Sequence, residues 1–331
     1  MEPGPRNLIT DVEGILVGNA EDHAAASGAT VVLPQERCAA GVDVRGGAPG
    51  TRDTDALDPT CLVDAVDAVM LSGGSAFGLD AAGGAMGWLA ARGRGFRVGD
   101  AVVPIVPCAI LFDLLNGGDK AWGELPPYRD LGRSALENAA ASFSLGNAGA
   151  GLGARAGALK GGLGSASFVT PDGLQVGALV AVNAVGSAVM PGSTALWSWP
   201  FERDGEMGGQ VPPVRVDFAD EGQGADALPG ENTTIGVVAT NAALDKTQAR
   251  RVAIMAQDGY ARALRPVHTP FDGDTVFCLA TGRRQDPVDA AGLSRIGALA
   301  ADCMARAIGR AMWEAQSLLA MTCYRDWAAT R

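Results

Sequence analysis

The sequence predicts an α/β or α+β fold built in layers, and three observations point there. Short apolar runs that read as strands alternate with helical periodicities along the chain. Hydrophobic residues make up 47% of 331, enough for a sizeable core. Glycine is abundant, at 46, and aromatics are few, a composition of tight turns and close backbone packing rather than disorder.

The elements follow in order. Residues 8 to 33 alternate and turn, ending in the strand GATVVLP, closed by Pro34. The stretch GVDVRGGAPGTRDTDALDP reads as a charged, Gly-rich loop. AVDAVMLSGGSAFGL reads as a buried strand, a Gly turn and a helix that opens near Ser75. That helix runs to about Arg92, with Leu79, Met86 and Leu89 on one stripe. FRVGDAVVPIVPCAILFDL is an apolar run punctuated by prolines, and YRDLGRSALENAAAS is a helix. A long glycine stretch, GNAGAGLGARAGALKGGLGSASFVT, leads into a strand, and LQVGALVAVNAVGSAV is a strand that ends in a turn.

Residues 200–232 change character, being Pro/Gly-rich, acidic and aperiodic. A loop this long inside a compact domain is usually functional or disordered. After it TTIGVVATN is a strand. DKTQARRVAIMAQDGYARAL is a helix with Asp245 as N-cap, Gln248 completing a capping box and Pro266 as the stop. FDGD is a turn, TVFCLATG a strand, and residues from about 291 to 318 a last helix.

Composition excludes several classes. The formal charge is −11 with no basic cluster, which argues against a nucleic-acid or anionic-membrane partner. Cys38, Cys61, Cys108, Cys278, Cys303 and Cys323 are scattered, so no zinc or redox pair is present, and buried, reduced thiols in a cytoplasm are expected. MEPGPRNLITDVEG has neither the basic nor the apolar region of a signal peptide. The most apolar region, residues 174 to 190, is interrupted by Gly177, Asn183, Gly186 and Ser187 and is too short for a membrane span. GARAGALKGG fails the P-loop pattern at Leu159 and Gly161, and GGSAFG is not a nucleophile elbow. SGGSAFG reads either as a helix N-terminus able to hold an anion or as a turn that needs glycine for backbone reasons. A serine hydrolase using Ser75 is a further alternative.

The stretch GENTTIGVVAT is the most pointed. It places Asn232-Thr233-Thr234 where the polar loop meets a buried strand. Thr favours strand starts, which is one reading. The other is chemical. A threonine hydroxyl becomes a nucleophile when Thr is the first residue of a chain, because its own α-amine, of pKa about 7.7–8.0, takes the proton. An internal Thr233 acquires that amine only if the Asn232–Thr233 bond is cut. The same residues match a glycosylation sequon, which needs a secretory route.

Three other features accompany it. Asp272 and Asp274 flank a glycine, so a tight turn could aim both carboxylates one way, toward an ammonium or a nucleophile's amine. A surface Asp/Gly turn and a calcium loop are the alternatives, although a calcium loop needs more oxygens. Lys160 is the one lysine of a Gly/Ala run, either partly buried with a lowered pKa or a surface loop lysine. Asn183 interrupts an apolar strand, as an oxyanion donor or as the turn that ends it.

These segments, in this order, resemble the P1 family of self-cleaving amidases and aminopeptidases. That family includes the L-aminopeptidase/D-alanine esterase, the β-peptidyl aminopeptidases and the nylon-oligomer (6-aminohexanoate oligomer) hydrolases. The resemblance covers nearly the whole chain and is carried by GATVVLP, VDVRGGAPGTRDTD, LSGGSAFGLDAAGG, AGAGLGARAGALKGG, VAVNAVG, NTTIGVVATNA and FDGDTVF. It implies an α-β-β-α sandwich, one self-processing domain over residues 1–331. Cleavage between Asn232 and Thr233 would give an α-chain of residues 1–232 and a β-chain of residues 233–331. Thr233 would be the nucleophile, Asn183 the oxyanion stabiliser and Lys160 a lysine close to the Thr233 hydroxyl. Asp272 and Asp274 would hold the Thr233 amine or bind a substrate ammonium.

The Asn-Thr-Thr cleavage site, the Asp-Gly-Asp and the long loop lean to the nylon-oligomer branch. An aminopeptidase acting on β-amino or D-amino acid substrates is the alternative within enzymes. The chain departs at Phe112-Asp113-Leu114, where the nylon-oligomer hydrolase has Tyr-Asp-Phe, a feature that favours a degenerate, uncleaved binding protein. The family implies a small amide or peptide substrate, no metal or organic cofactor, and αβ units in a homotetramer.

Overall fold

The computed structural model describes residues 2–216 and 232–331. Two five-stranded mixed sheets stack face to face. The first runs Ile15–Asp22, Ser27–Pro34, Val69–Ser72, Cys108–Ile110, Thr51–Arg52 in spatial order. The second runs Gly162–Val169, Gln175–Val182, Ile235–Ala242, Thr275–Arg284, Ala39–Val44. Helices α1 (Asp80–Ala90) and α2 (Tyr128–Glu137) pack against the first sheet. Helices α3 (Lys246–Ala263) and α4 (Ala290–Glu314) cover the second. The result is the four-layer α-β-β-α sandwich that the resemblance implied.

Burial on both faces explains why the strands read as unbroken apolar runs. In Ile235–Ala242 the side chains alternate between two cores. Ile235, Val237 and Ala239 point between the sheets, among Val17, Leu71, Leu163 and Phe277. Val238 and Ala242 point at the helices, among Ala256, Met304 and Ile308. A strand with one polar face could not hold this central position.

Several sequence expectations change. Within the run assigned to a loop, Gly41-Val42-Asp43-Val44 is edge strand, pairing antiparallel with Thr275–Arg284. The face α1 buries is Ala81, Ala82, Gly84, Ala85 and Leu89, while Leu79 and Met86 are half-buried, because this helix lies close to its neighbours on small residues. The apolar run with prolines divides into a hairpin, Phe96–Val98 with Ala101–Val103, and the strand Cys108–Ile110. The last helix ends earlier than expected, at Glu314. In α3 the expected box is present: the Asp245 carboxylate accepts from Gln248 N–H at 2.8 Å and the Gln248 side chain returns the contact at 3.1 Å.

Of the aperiodic region, the part up to Gln210 is tied down. The Glu202 carboxylate accepts backbone N–H groups of Met207, Gly209 and Gln210, and Glu206 pairs with the buried Arg306 at 2.6 Å. Residues 217–231, where the rest of the expected loop falls, lie outside the described residues. Five of the six cysteines are buried and none is bonded, and burial pushes the Cys38, Cys108 and Cys303 thiols up to about 12. Cys61 is exposed. Among the described residues no helix is long and apolar enough to cross a membrane.

The glycine content has a packing cause at the interface of the second sheet with α4. A Cβ at Gly164 would lie 1.9 Å from the Ala307 carbonyl oxygen. Gly164→Ala is therefore expected to destabilise by about 1–3 kcal/mol, or more if the backbone cannot shift. Gly87, exposed in α1 with nothing near its Cβ position, is the control, and Gly87→Ala is expected to stabilise by about 0.4–1 kcal/mol. Urea melts of the two variants check both, and equal effects would contradict the packing argument.

Candidate active site

Strand register brings the predicted residues to one end of the second sheet. Ile235 pairs antiparallel with Ala181 and parallel with Thr275, and Val182 pairs with Gly162. Two residues further toward the loop, the same register aligns Gly273, Thr233, Asn183 and Gly161 in a row. Hydrogen bonds bear this out. Thr233 N–H donates to the Asn183 carbonyl at 2.5 Å, and Gly273 N–H donates to the Asn232 carbonyl at 3.1 Å. Asn232 and Asp272 form an isolated parallel bridge.

Thr233 is 2% exposed. Its hydroxyl donates to the carbonyl oxygen of its own preceding residue, Asn232, at 2.6 Å. That oxygen thus carries two donors, the Thr233 hydroxyl and the Gly273 amide. A backbone N–H fixed on a carbonyl oxygen is the geometry that stabilises negative charge developing there. Gly273 has to be glycine, because a Cβ would lie 2.6 Å from Thr233 Oγ.

Asn183 is 2% exposed and held at both ends of its amide. Its Oδ1 accepts Arg155 N–H at 2.8 Å, and its Nδ2 donates to the Phe112 carbonyl at 3.1 Å. At position 112, then, the backbone rather than the side chain is what Asn183 uses.

Lys160 is fully buried rather than on a surface loop. Its Nζ donates to the Gly151 and Gly161 carbonyls at 2.9 and 2.8 Å, and no hydrogen bond joins it to Thr233 among the described residues. Burial lowers its pKa to about 7, opposed by the charge of Asp113.

Asp272 and Asp274 are each 1% exposed, so the turn is not a surface one. Nor do both carboxylates aim one way. Asp272 accepts Val185 N–H at 3.2 Å on one oxygen, and Thr269 N–H and hydroxyl at 2.9 and 2.5 Å on the other. Asp274 accepts Thr234 N–H at 2.9 Å on one oxygen, and the His268 N–H and imidazole Nδ1 at 3.0 and 2.8 Å on the other. Burial, and then the charge of Asp274, push the Asp272 carboxyl up. The loop after Val44 clamps this turn from outside. Arg45 N–H donates to the Asp274 carbonyl and Ala48 N–H to that of Asp272, both within 2.9 Å.

Two residues that sequence reasoning did not single out join the cluster. His268 is one of only two histidines, which was a usable signal. Asp113, 3% exposed, accepts Gly74 N–H at 2.8 Å, so the anion met by the SGGSAFG turn is a side chain of the chain itself. Burial raises its carboxyl, and its Oδ2 has no hydrogen-bond partner among the described residues. Its place beside Phe112 in the sequence was the available hint.

A buried threonine hydroxyl, a backbone N–H on the same carbonyl oxygen and two buried carboxylates thus meet at one strand end. The chain belongs to peptidase family S58, which its residues 7–323 match. It is a hydrolase acting on amide and peptide C–N bonds. Among its relatives is a protein of Mycobacterium tuberculosis (strain ATCC 25618 / H37Rv) named an uncharacterized aminopeptidase, 47% identical over 97% of both chains. Another is a 6-aminohexanoate-oligomer endohydrolase of Kocuria sp. (strain KY2), 30% identical over 84% of this chain and 76% of that one. Among solved structures, a Burkholderia sp. β-aminopeptidase matches in fold with TM-score 0.69 and 24% identity, over 96% of this chain and 89% of that one. The Ochrobactrum anthropi L-aminopeptidase D-Ala-esterase/amidase, described as a variant of the Ntn hydrolase fold, matches with TM-score 0.67 and 22% identity, over 95% and 87%.

The state of Lys160 has a measurable consequence. Its folded pKa, about 7, lies below the unfolded value of 10.5. Between those values the unfolded chain binds the extra proton, so this residue's destabilising contribution shrinks as pH rises from about 7 to 10.5. Lys160→Met, compared in a Thr233→Ala background so that chain cleavage affects neither protein, is expected to raise Tm most at and below pH 7. The advantage should fade toward alkaline pH, and a gap that does not change with pH would place the ammonium in water.

Proposed function

We propose that the chain is a self-processing amide hydrolase whose nucleophile is Thr233. One observation carries this reading: the Thr233 hydroxyl lies 2.6 Å from the Asn232 carbonyl oxygen, which also accepts the Gly273 N–H. In maturation Thr233 Oγ bonds to the Asn232 carbonyl carbon, the Asn232–Thr233 C–N bond breaks, and the hydroxyl proton passes to the Thr233 nitrogen. Water then hydrolyses the ester, leaving an Asn232 carboxylate and a free Thr233 amine. In turnover that amine takes the hydroxyl proton, Oγ forms an acyl-enzyme with the substrate carbonyl, and the substrate's amine leaves with the proton. The Gly273 amide, on the Asn232 carbonyl oxygen at 3.1 Å, is the oxyanion donor already in place, and Asn183 would join it only by turning its Nδ2 from the Phe112 carbonyl.

Intact mass under denaturing conditions tests this. The parent is expected to give pieces of about 23–24 and about 10 kDa, in proportion to 33.6 kDa, with the smaller starting at Thr233, while Thr233→Ala remains whole. A single uncut parent would remove the base and bring forward the reading of a degenerate binding protein.

For substrate, the reading favoured is a short amide cleaved without recognition of a free amine, as in nylon-type oligomers. Both oxygens of Asp272 and of Asp274 already accept from the protein, six donors on the pair, which leaves little of its acceptor capacity for a substrate ammonium. The 6-aminohexanoate-oligomer relatives support it. The second reading, an aminopeptidase, is supported by the names of the more similar relatives. Free and N-acetylated forms of one short amide separate the two. Values of kcat/KM within about tenfold of each other fit the first reading, and loss of about a hundredfold or more on acetylation fits the second.

A further inference from the structure

His268 touches the predicted site without belonging to the set the sequence singled out. It lies in the loop between α3 and the Asp272-Gly273-Asp274 turn. Its imidazole Nδ1 and its backbone N–H both meet Asp274 Oδ2, at 2.8 and 3.0 Å. The other oxygen of that carboxylate accepts Thr234 N–H at 2.9 Å. One buried carboxylate therefore links the imidazole to the residue that follows Thr233.

The backbone is committed to this contact. His268 has φ 57°, in the left-handed region that residues other than Gly, Asn and Asp seldom hold. Such strain persists only where the surroundings over-determine it, here through two hydrogen bonds to one oxygen. Tyr260 of α3 packs beside the ring at 6.1 Å between centroids, its hydroxyl donating to the Thr275 carbonyl at 3.1 Å. Among the described residues, the titratable groups facing the imidazole are Asp274, with Asp272 beyond it on the same turn, and Tyr260.

The electrostatic link runs further. Asp272 and Asp274 repel each other, and Asp272 lies at the strand end, where Asn232 pairs with it and Val185 N–H reaches it. Negative charge on this carboxylate pair, beneath a freed Thr233 amine, favours its protonated form, which cannot accept the hydroxyl proton. A positive imidazole on Asp274 opposes that.

We propose that His268 is a positioning residue for this reaction: it fixes the Asp272–Asp274 turn beneath Thr233 and, when charged, offsets the carboxylates so that the Thr233 amine stays a free base at lower pH. The proposal rests on the reading of Thr233 as an N-terminal nucleophile. The sign follows directly. Removing the imidazole charge strengthens the field that favours the ammonium, so the acid limb of kcat/KM moves to higher pH.

The test uses His268→Asn and His268→Ala. Asn accepts the left-handed backbone, and its Nδ2 can replace Nδ1 as a donor, but it carries no charge. Ala removes both functions. Intact mass is read first, so that the cut at Thr233 is scored separately from activity. His268→Asn is expected to be processed and to keep KM, with its acid limb raised by roughly one pH unit. His268→Ala is expected to lose about tenfold or more in kcat through misplacement of the turn. A His268→Asn profile superimposable on that of the parent, or a His268→Ala kcat equal to the parent's, overturns the proposal. If neither variant is processed, the cut parent decides. It has only His23 and His268, so His23→Gln assigns their imidazole nitrogen resonances. Nδ1 of His268 is expected to stay protonated across the assayed range, and a bare Nδ1 overturns the proposal. A parent that is not cut at all sinks the N-terminal-nucleophile reading, and this proposal with it.

Discussion

The site depends on one constraint: the central strand of the second sheet ends in the interior instead of at the surface. Thr233 and Thr234 are buried, so every backbone group around them needs a partner that is not water. The neighbouring strands supply the partners. Asn183 gives its carbonyl to Thr233, Gly273 its amide to Asn232, and Asp274 a carboxylate oxygen to Thr234. Each partner is fixed in turn, Asn183 by Arg155 and Phe112, Asp272 by Val185 and Thr269, Asp274 by His268. Satisfying the end of one strand thus fixes four loops, and Thr233 is positioned by the same bonds.

The charges follow from the same burial. Lys160 has only backbone carbonyls to bond, and burial brings it close to neutrality at pH 7. Asp272 is pushed the other way, toward its neutral form, by burial and by Asp274. Groups near the point of half-ionisation at working pH respond to small changes in their surroundings, which is what proton-transfer chemistry requires. Lys160 and Asp272 are moved in opposite directions by the same loss of water, and not by pairing with each other.

Legibility in the sequence followed the range of the signal. The capping box at Asp245 and Gln248 and the apolar run of Ile235–Ala242 are local, and both were readable. Thr233, Asn183, Lys160 and the two aspartates were readable because each breaks a local pattern: hydroxyls at a strand start, an amide in an apolar run, a lysine among glycines. Their relation to one another was not readable without the family, since it depends on register between strands about 50 residues apart in sequence. GVDVRGGAPG looked like loop for a related reason. Its glycines mark close approach to the Asp272–Asp274 turn, where a Cβ at Gly46 would come within 2.4 Å of that turn's backbone, and its edge strand is defined only by a partner far along the chain. His268 and Asp113 break no such local pattern, and the rarity of histidine and the place beside Phe112 were their only signals. Their importance lies in which buried N–H or carboxylate they face.

Under the self-processing reading, the same geometry bears on why one chain could serve two reactions in one place. Before cleavage the Thr233 nitrogen is an amide, a donor only, and it gives its hydrogen to the Asn183 carbonyl. After cleavage it would be an amine, keeping that acceptor for one hydrogen and gaining a lone pair that the amide lacked. The hydroxyl that contacts the Asn232 carbonyl in the intact chain would be left with that lone pair beside it, and the Gly273 N–H would be released from the Asn232 carbonyl to meet a substrate oxygen. No new group has to arrive. What must not happen is capture of the new amine as a fixed ammonium, and the internal donors already bonded to both oxygens of Asp272 and of Asp274 limit the negative charge available to do so. In this reading the carboxylates are buried and hydrogen-bonded to the last oxygen so that a base can remain a base.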